Sequence, residues 1–219
     1  MSSEVEPNER VGTFQGVSFP LRALISGSPR LGLSMRGERT IRRVIWSSTS
    51  PPGTELCVLR KEERGWSLKG SIGRRFTEGR GAIVYQIRVS DDWRTRDVHV
   101  EQLLEGDFKV LDIRVLRGRW LVRGAVDPSL DGCVDVDLEA SPATNTLPIR
   151  RSHLPRGGKV VVKAAWVRFP SLKVVPLEQS YENLGERKYI YRSGNSFQAD
   201  LNIDRYGLVV RYGSYWVAA

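Results

Sequence analysis

From Thr40 onward the chain breaks into short runs of alternating apolar and polar residues, each closed by a turn signal. That pattern leaves little room for anything but a sheet. The run 81–90 is the cleanest, with Ile83, Tyr85, Ile87 and Val89 falling on one face. Ser50-Pro51-Pro52-Gly53, Gly106-Asp107, Arg117-Gly118 and Asp204-Arg205-Tyr206-Gly207 supply turns between runs. No segment holds a 3.6-residue apolar period over three turns, and only 177–184 is compatible with a short helix. A dozen or so strands at a spacing of roughly 8–12 residues make a sheet too wide to stay flat, because twist accumulates and open edges invite pairing. The expected class is all-β with a minor helix: a strongly curved antiparallel sheet, forming a half-barrel or an incompletely closed β-barrel. One domain is expected over 40–219, with its concave side lined by alternate side chains.

Residues 1–39 read differently. Gly, Ser, Pro and Arg dominate, and apolar residues come in scraps such as 17–24, so a poorly ordered leader is expected, with Met35 as an alternative start. The formal charge is +9, yet the densest clusters are pairs such as Arg42-Arg43, Arg74-Arg75 and Arg150-Arg151, with acidic residues among them. A scattered basic surface of this kind does not predict a nucleic-acid partner. Two cysteines, Cys57 and Cys133, make neither a disulfide scaffold nor a Cys-x-x-Cys metal site, and free thiols are expected, with a single bridge left open. No apolar run reaches membrane-spanning length, and the first residues lack a signal-peptide layout, so a cytoplasmic protein without a transmembrane segment is expected.

The densest chemistry lies in 132–151. Asp135 and Asp137 alternate with Val134, Val136 and Leu138; a loop stiffened by Pro142 and Pro148 carries Thr144, Asn145 and Thr146; and Arg150 and Arg151 close it. Two carboxylates on one strand face serve as an acid/base pair, as cation ligands, or as partners for the two arginines. The missing His or further Asp ligands argue against a metal, and the salt-bridge reading is favoured. Glu55 shares a face with Cys57, and a Cys–His nucleophile would need His99 or His153 beside it. Phosphate-binding glycine loops, nucleophile elbows and zinc-protease motifs do not occur. Trp46, Tyr85, Trp93, Trp120, Trp166, Tyr181 and Tyr191 are spread over separate runs and can converge on a concave face, to stack on sugars or line an acyl slot.

The run from Asp135 through Asn145 to Arg151 resembles the signature of the glycolipid-binding family of bacterial proteins. Further motifs agree in order: Trp46 before Glu55-Leu56-Cys57, Tyr85 before Asp92-Trp93-Arg94, Gly118-Arg119-Trp120, Ala164-Ala165-Trp166, Gln179-Ser180-Tyr181 and Tyr189-Ile190-Tyr191. The resemblance covers about 40–216 and implies an unclosed barrel similar to the lipoprotein-localisation carriers. The function expected is binding of a small amphipathic ligand, a lipid or glycolipid, in the concavity, without a cofactor. The residues expected to contact it are Glu55, Tyr85, Trp93, Arg94, Trp120, Asp135, Asp137, Asn145, Arg150, Arg151, Trp166, Gln179 and Tyr181, with Arg94, Arg150 and Arg151 holding any acidic head group. The alternative is a cofactorless enzyme working in the same cavity through its carboxylates and arginines.

Overall fold

A computed structural model describes residues 38–194 and 196–219. The expected leader and Met35 fall outside the described residues, apart from the last two leader positions, and the first strand already begins at Arg39. Eight strands run in order as β1 (Arg39–Thr49), β2 (Pro52–Lys61), β3 (Trp66–Phe76), β4 (Gly79–Val89), β5 (Thr95–Leu104), β6 (Asp107–Leu116), β7 (Arg119–Val122) and β8 (Ala125–Val126). β9 (Asp135–Leu138) and the helix α1 (Thr146–Ser152) follow. β10 (Lys159–Arg168), β11 (Lys173–Gly185), β12 (Lys188–Ser193), β13 (Phe197–Ile203), β14 (Val209–Tyr212) and β15 (Trp216–Ala218) complete the chain.

All fifteen strands join one sheet, in the order β8 to β1, then β15 down to β9. Neighbours pair antiparallel except β9 and β10, which run parallel, so the sheet is mixed rather than purely antiparallel. The exception has a covalent cause. A parallel pair needs a crossover of a dozen or more residues, and 139–158, with α1 inside it, supplies one.

β1–β6 are covered on one side. Val44, Trp46, Cys57, Leu59, Leu68, Ile72, Ile83, Tyr85, Ile87, Val100 and Leu111 point inward and are buried, whereas Ile45, Leu56 and Val84 on the other face are exposed. β10 is covered on both sides. Ala164 and Ala165 are consecutive, hence on opposite faces, and both are fully buried. Ala165 and Val167 join the large core against β1–β7, while Val162 joins Tyr181, Tyr191 and Leu201 in a smaller second core. The sheet is therefore rolled, with its β9 edge tucked inside the concavity of β1–β7. Thr95 at the start of β5 holds that edge: its N–H donates to Val134 O at 3.3 Å, and its Oγ1 accepts from Val136 N at 2.9 Å. Trp120 Nε1 adds a bond to Cys133 O at 3.0 Å. These bonds pin the edge without closing a barrel.

The crossover fills what the roll leaves. Every residue from 140 to 149 is buried, the longest such run among the described residues. The short helix sits here, not at 177–184, which is part of β11. Seven residues are too few to show a helical period, and Pro148 lies in the first turn, where a missing N–H costs nothing. At 177–184, cross-strand pairing such as Tyr181 with Tyr191 overrides the local pattern. Both cysteines are buried and free.

Candidate ligand-binding site

A cavity of about 360 Å³ opens where the inner curl of the sheet faces the β1–β2 turn. Its walls are aromatic: Trp166 from β10, Tyr191 from β12, Phe197 from β13, Tyr212 from β14, then Tyr215 and Trp216. Four of these rings touch one another, with Tyr191 and Tyr212 at 6.0 Å, Phe197 and Tyr212 at 6.3 Å, and Phe197 and Tyr215 at 5.7 Å between centroids. The floor is polar and comes from the tucked segment, namely Asp137, Ser141 and Asn145. Arg74 and Glu139 form one side.

The floor is held by a chain of hydrogen bonds that spans three strands. Thr144 Oγ1 donates to Asp137 Oδ1 at 2.9 Å, and Gln179 Nε2 donates to Asp137 Oδ2 at 2.6 Å. The Tyr181 hydroxyl lies 3.0 Å from Asn145 Oδ1 and 3.3 Å from Gln179 Oε1. Asn145 Nδ2 donates to Pro142 O at 3.1 Å. Burial pushes the Asp137 carboxyl up to about 6, against the lowering pull of Thr144 and Gln179. No arginine or lysine pairs with it among the described residues.

Behind Ser141 lies a second carboxyl. Glu55 is fully buried, and its Oε1 accepts from Tyr85 OH at 2.5 Å and from Ser141 Oγ at 2.7 Å. Its Oε2 has no partner. Burial dominates and raises the Glu55 carboxyl to about 7. Next to it, burial and then the Glu55 charge push the Cys57 thiol far above its ordinary range, so it stays protonated at neutral pH and supplies little of the nucleophilic thiolate. Nor is a histidine beside it: His99 is on β5, bonded to Asp112 at 2.7 Å and Glu101 at 3.1 Å.

The residues singled out from sequence thus separate into three groups. Asp137, Asn145 and Trp166 line the cavity, with Gln179, Tyr181, Glu55 and Tyr85 directly behind its floor. Asp135 pairs with Arg151, while Arg150 stacks on Trp93 at 5.1 Å, so the two aspartates and two arginines do not form one cluster. Trp93 also stacks on Trp66 at 5.0 Å, Trp120 is buried in the core, and Arg94 pairs with Asp92 at 2.8 Å on the surface. The arginine beside the cavity is instead Arg74, which the sequence offered only as half of a basic pair. Phe197, Tyr212, Tyr215 and Trp216 were equally unmarked, since they stand on the closing strands β13 to β15 and the turn between the last two, with no motif around them. Among the described residues no group of three or more His, Cys, Asp and Glu side chains is placed to hold a metal ion.

A larger depression of about 440 Å³, lined by Lys159, Glu178 and Arg192, has Phe197 as its one aromatic wall and lacks a comparable floor. Beside the aromatic cavity a further one of about 520 Å³ is lined by Arg75, Phe76, Thr77, Glu78, Phe169 and Pro170, together with residues it shares with the first.

A rolled, unclosed sheet with an aromatic-walled cavity and a polar floor defines an all-β ligand-binding protein. The chain belongs to the family described as "Putative glycolipid-binding", whose pattern matches residues 43–218. Among solved structures it is similar to a DUF1089 family protein from Pseudomonas aeruginosa, with 27% identity and a TM-score of 0.65 over 84% of this chain and 94% of that one. A beta-barrel-like protein of domain of unknown function DUF1849 from Brucella abortus also aligns, at 8% identity and a TM-score of 0.43, over 83% of this chain and 94% of that one. No curated protein matches the chain. Among the described residues no helix is long and apolar enough to cross a membrane.

Proposed function

We propose that the protein binds a small amphipathic ligand, a lipid or glycolipid, in the aromatic cavity. The observation that carries this reading is the pairing of six aromatic walls with a floor of Asp137 and Asn145. Ring faces stack on sugars or pack acyl chains, and a carboxylate with only one donor on each oxygen still accepts from hydroxyls. Ten methylenes buried at about 0.8 kcal/mol each offer roughly 8 kcal/mol before ordering costs, enough for useful affinity without an ion pair. The family's description points the same way. The two free cysteines accord with a cytoplasmic setting.

Native mass spectrometry of freshly purified protein, followed by organic extraction, tests the reading. A stoichiometric lipid mass, or saturable uptake of octyl glucoside by the empty protein, is expected. A protein that carries nothing and takes up no amphiphile overturns it. A second reading, a cofactorless acid–base enzyme, draws on the raised carboxyls of Asp137 and Glu55 around Ser141. It requires that the bound amphiphile be chemically altered on incubation, and that Asp137→Asn stop the change.

A further inference from the structure

The aromatic cavity and its 520 Å³ neighbour share part of their lining: Ser50, Pro51, Arg74 and Glu139 contribute to both. Arg74 is the one cation of that shared wall. It belongs to the inward row of β3, after Leu68, Gly70 and Ile72, and its cross-strand neighbours on either side are glycines, Gly53 on β2 and Gly81 on β4. A Cβ on Gly53 would come within 2.8 Å of Arg74 Cβ, so the sheet keeps room for this side chain. The guanidinium lies 5.3 Å from the centre of the Phe76 ring.

What Arg74 lacks is a carboxylate partner. Its closest protein acceptor is Ala140 O, at 3.5 Å from Nη1, and its buried Nε has none. Glu139 and Glu55 act on it only through space. Glu139 Oε2 is taken by Phe169 N at 2.7 Å. A half-buried guanidinium without a carboxylate is costly to keep, and its planar donors suit a bidentate oxyanion.

We propose that the two cavities form one bipartite site and that Arg74, between them, binds an acidic group of the ligand, a phosphate or carboxylate on an amphiphile. The inference rests on the ligand-binding reading above and narrows it to acidic amphiphiles. One part of the ligand occupies the aromatic cavity, and the rest runs past Phe76 and Phe169. The role expected from sequence for Arg94, Arg150 and Arg151 passes to Arg74, because none of those three lines either cavity, whereas Arg74 lines both.

The test is calorimetric titration of the full chain with octyl phosphate, octyl glucoside and inorganic phosphate. Octyl phosphate is expected to bind about tenfold more tightly than octyl glucoside, the worth of one charge-assisted pair, with inorganic phosphate far weaker than either. Arg74→Gln is expected to abolish the preference, Arg74→Lys to keep part of it, and Glu139→Gln to strengthen octyl phosphate binding by removing a nearby negative charge. A preference that survives Arg74→Gln overturns the proposal. So does wild-type protein that binds octyl glucoside equally well, since the cavity reading then stands and the acidic group falls. Uptake of neither amphiphile fells both. Inorganic phosphate binding as tightly as octyl phosphate would make this a free-anion site and overturn the amphiphile. Should Arg74→Gln fail to fold, no response to Glu139→Gln overturns the proposal by itself.

Discussion

Gln179 Nε2 reaches Asp137 Oδ2 at 2.6 Å across the intervening strand β10 and fixes the one carboxylate on the cavity floor. Thr144 occupies the other oxygen, so each oxygen keeps a lone pair for a ligand hydroxyl. Asp137→Asn is expected to weaken octyl glucoside binding about tenfold, the cost of losing a hydrogen bond to a charged acceptor. In the wild type, binding is expected to weaken as pH falls below about 6, where the carboxyl takes up its proton. The variant should lose that pH dependence. Quenching of Trp166 and Trp216 fluorescence reads both effects, and unchanged binding would remove Asp137 from the site.

Glu55 gives a stability prediction with a definite sign. Its carboxyl rises from an ordinary 4.5 to about 7 on folding, so the folded state holds the proton more tightly. The associated stability is full below pH 4.5 and is lost as pH rises through 7. Between those limits Glu55→Gln should gain on the wild type by an amount on the order of 3 kcal/mol. Urea unfolding at pH 4.5 and pH 8 checks it, and parallel curves for the two proteins would sink it.

Asp135 and Arg151 behave as a buried pair whose burial outweighs its attraction. The Asp135 carboxyl is raised by burial even though Arg151 contacts it. Arg151→Ala leaves that carboxylate uncompensated and should destabilise by about 3 kcal/mol, whereas Asp135→Leu with Arg151→Leu should recover most of the loss. Denaturant midpoints for wild type, Arg151→Ala and the double variant decide it.

Gly70 faces Tyr85 across the β3–β4 ladder, and an added Cβ would sit 2.3 Å from the Tyr85 ring. Gly70→Ala must therefore push the tyrosine away and break its bond to Glu55. A loss of about 2–4 kcal/mol is expected, from overpacking together with a stranded polar group. A melting temperature within a degree or so of wild type would show that the ring can move at no cost.

Much of this was legible in the residues themselves. Alternation along 83–89 determined that β4 exposes one face and buries the other, because successive side chains in a strand must diverge. The turn signals marked where β1, β5, β6 and β13 stop, and the run 132–151, read for its density of chemistry, supplies Asp137, Ser141 and Asn145 to the cavity floor. Tertiary structure decided the rest. Alternation says which residues share a face but not which way a sheet rolls or where its edge comes to lie. The tuck of β9 against Thr95, the burial of 140–149 and the seating of α1 depend on contacts 40 or more residues apart, as between Thr95 and Val136. The cavity assembles Arg74, Asp137, Trp166, Tyr212 and Trp216 from five strands and segments of the chain. No local pattern marks such a set, because its members meet only after the sheet has curled and the crossover has filled its concavity.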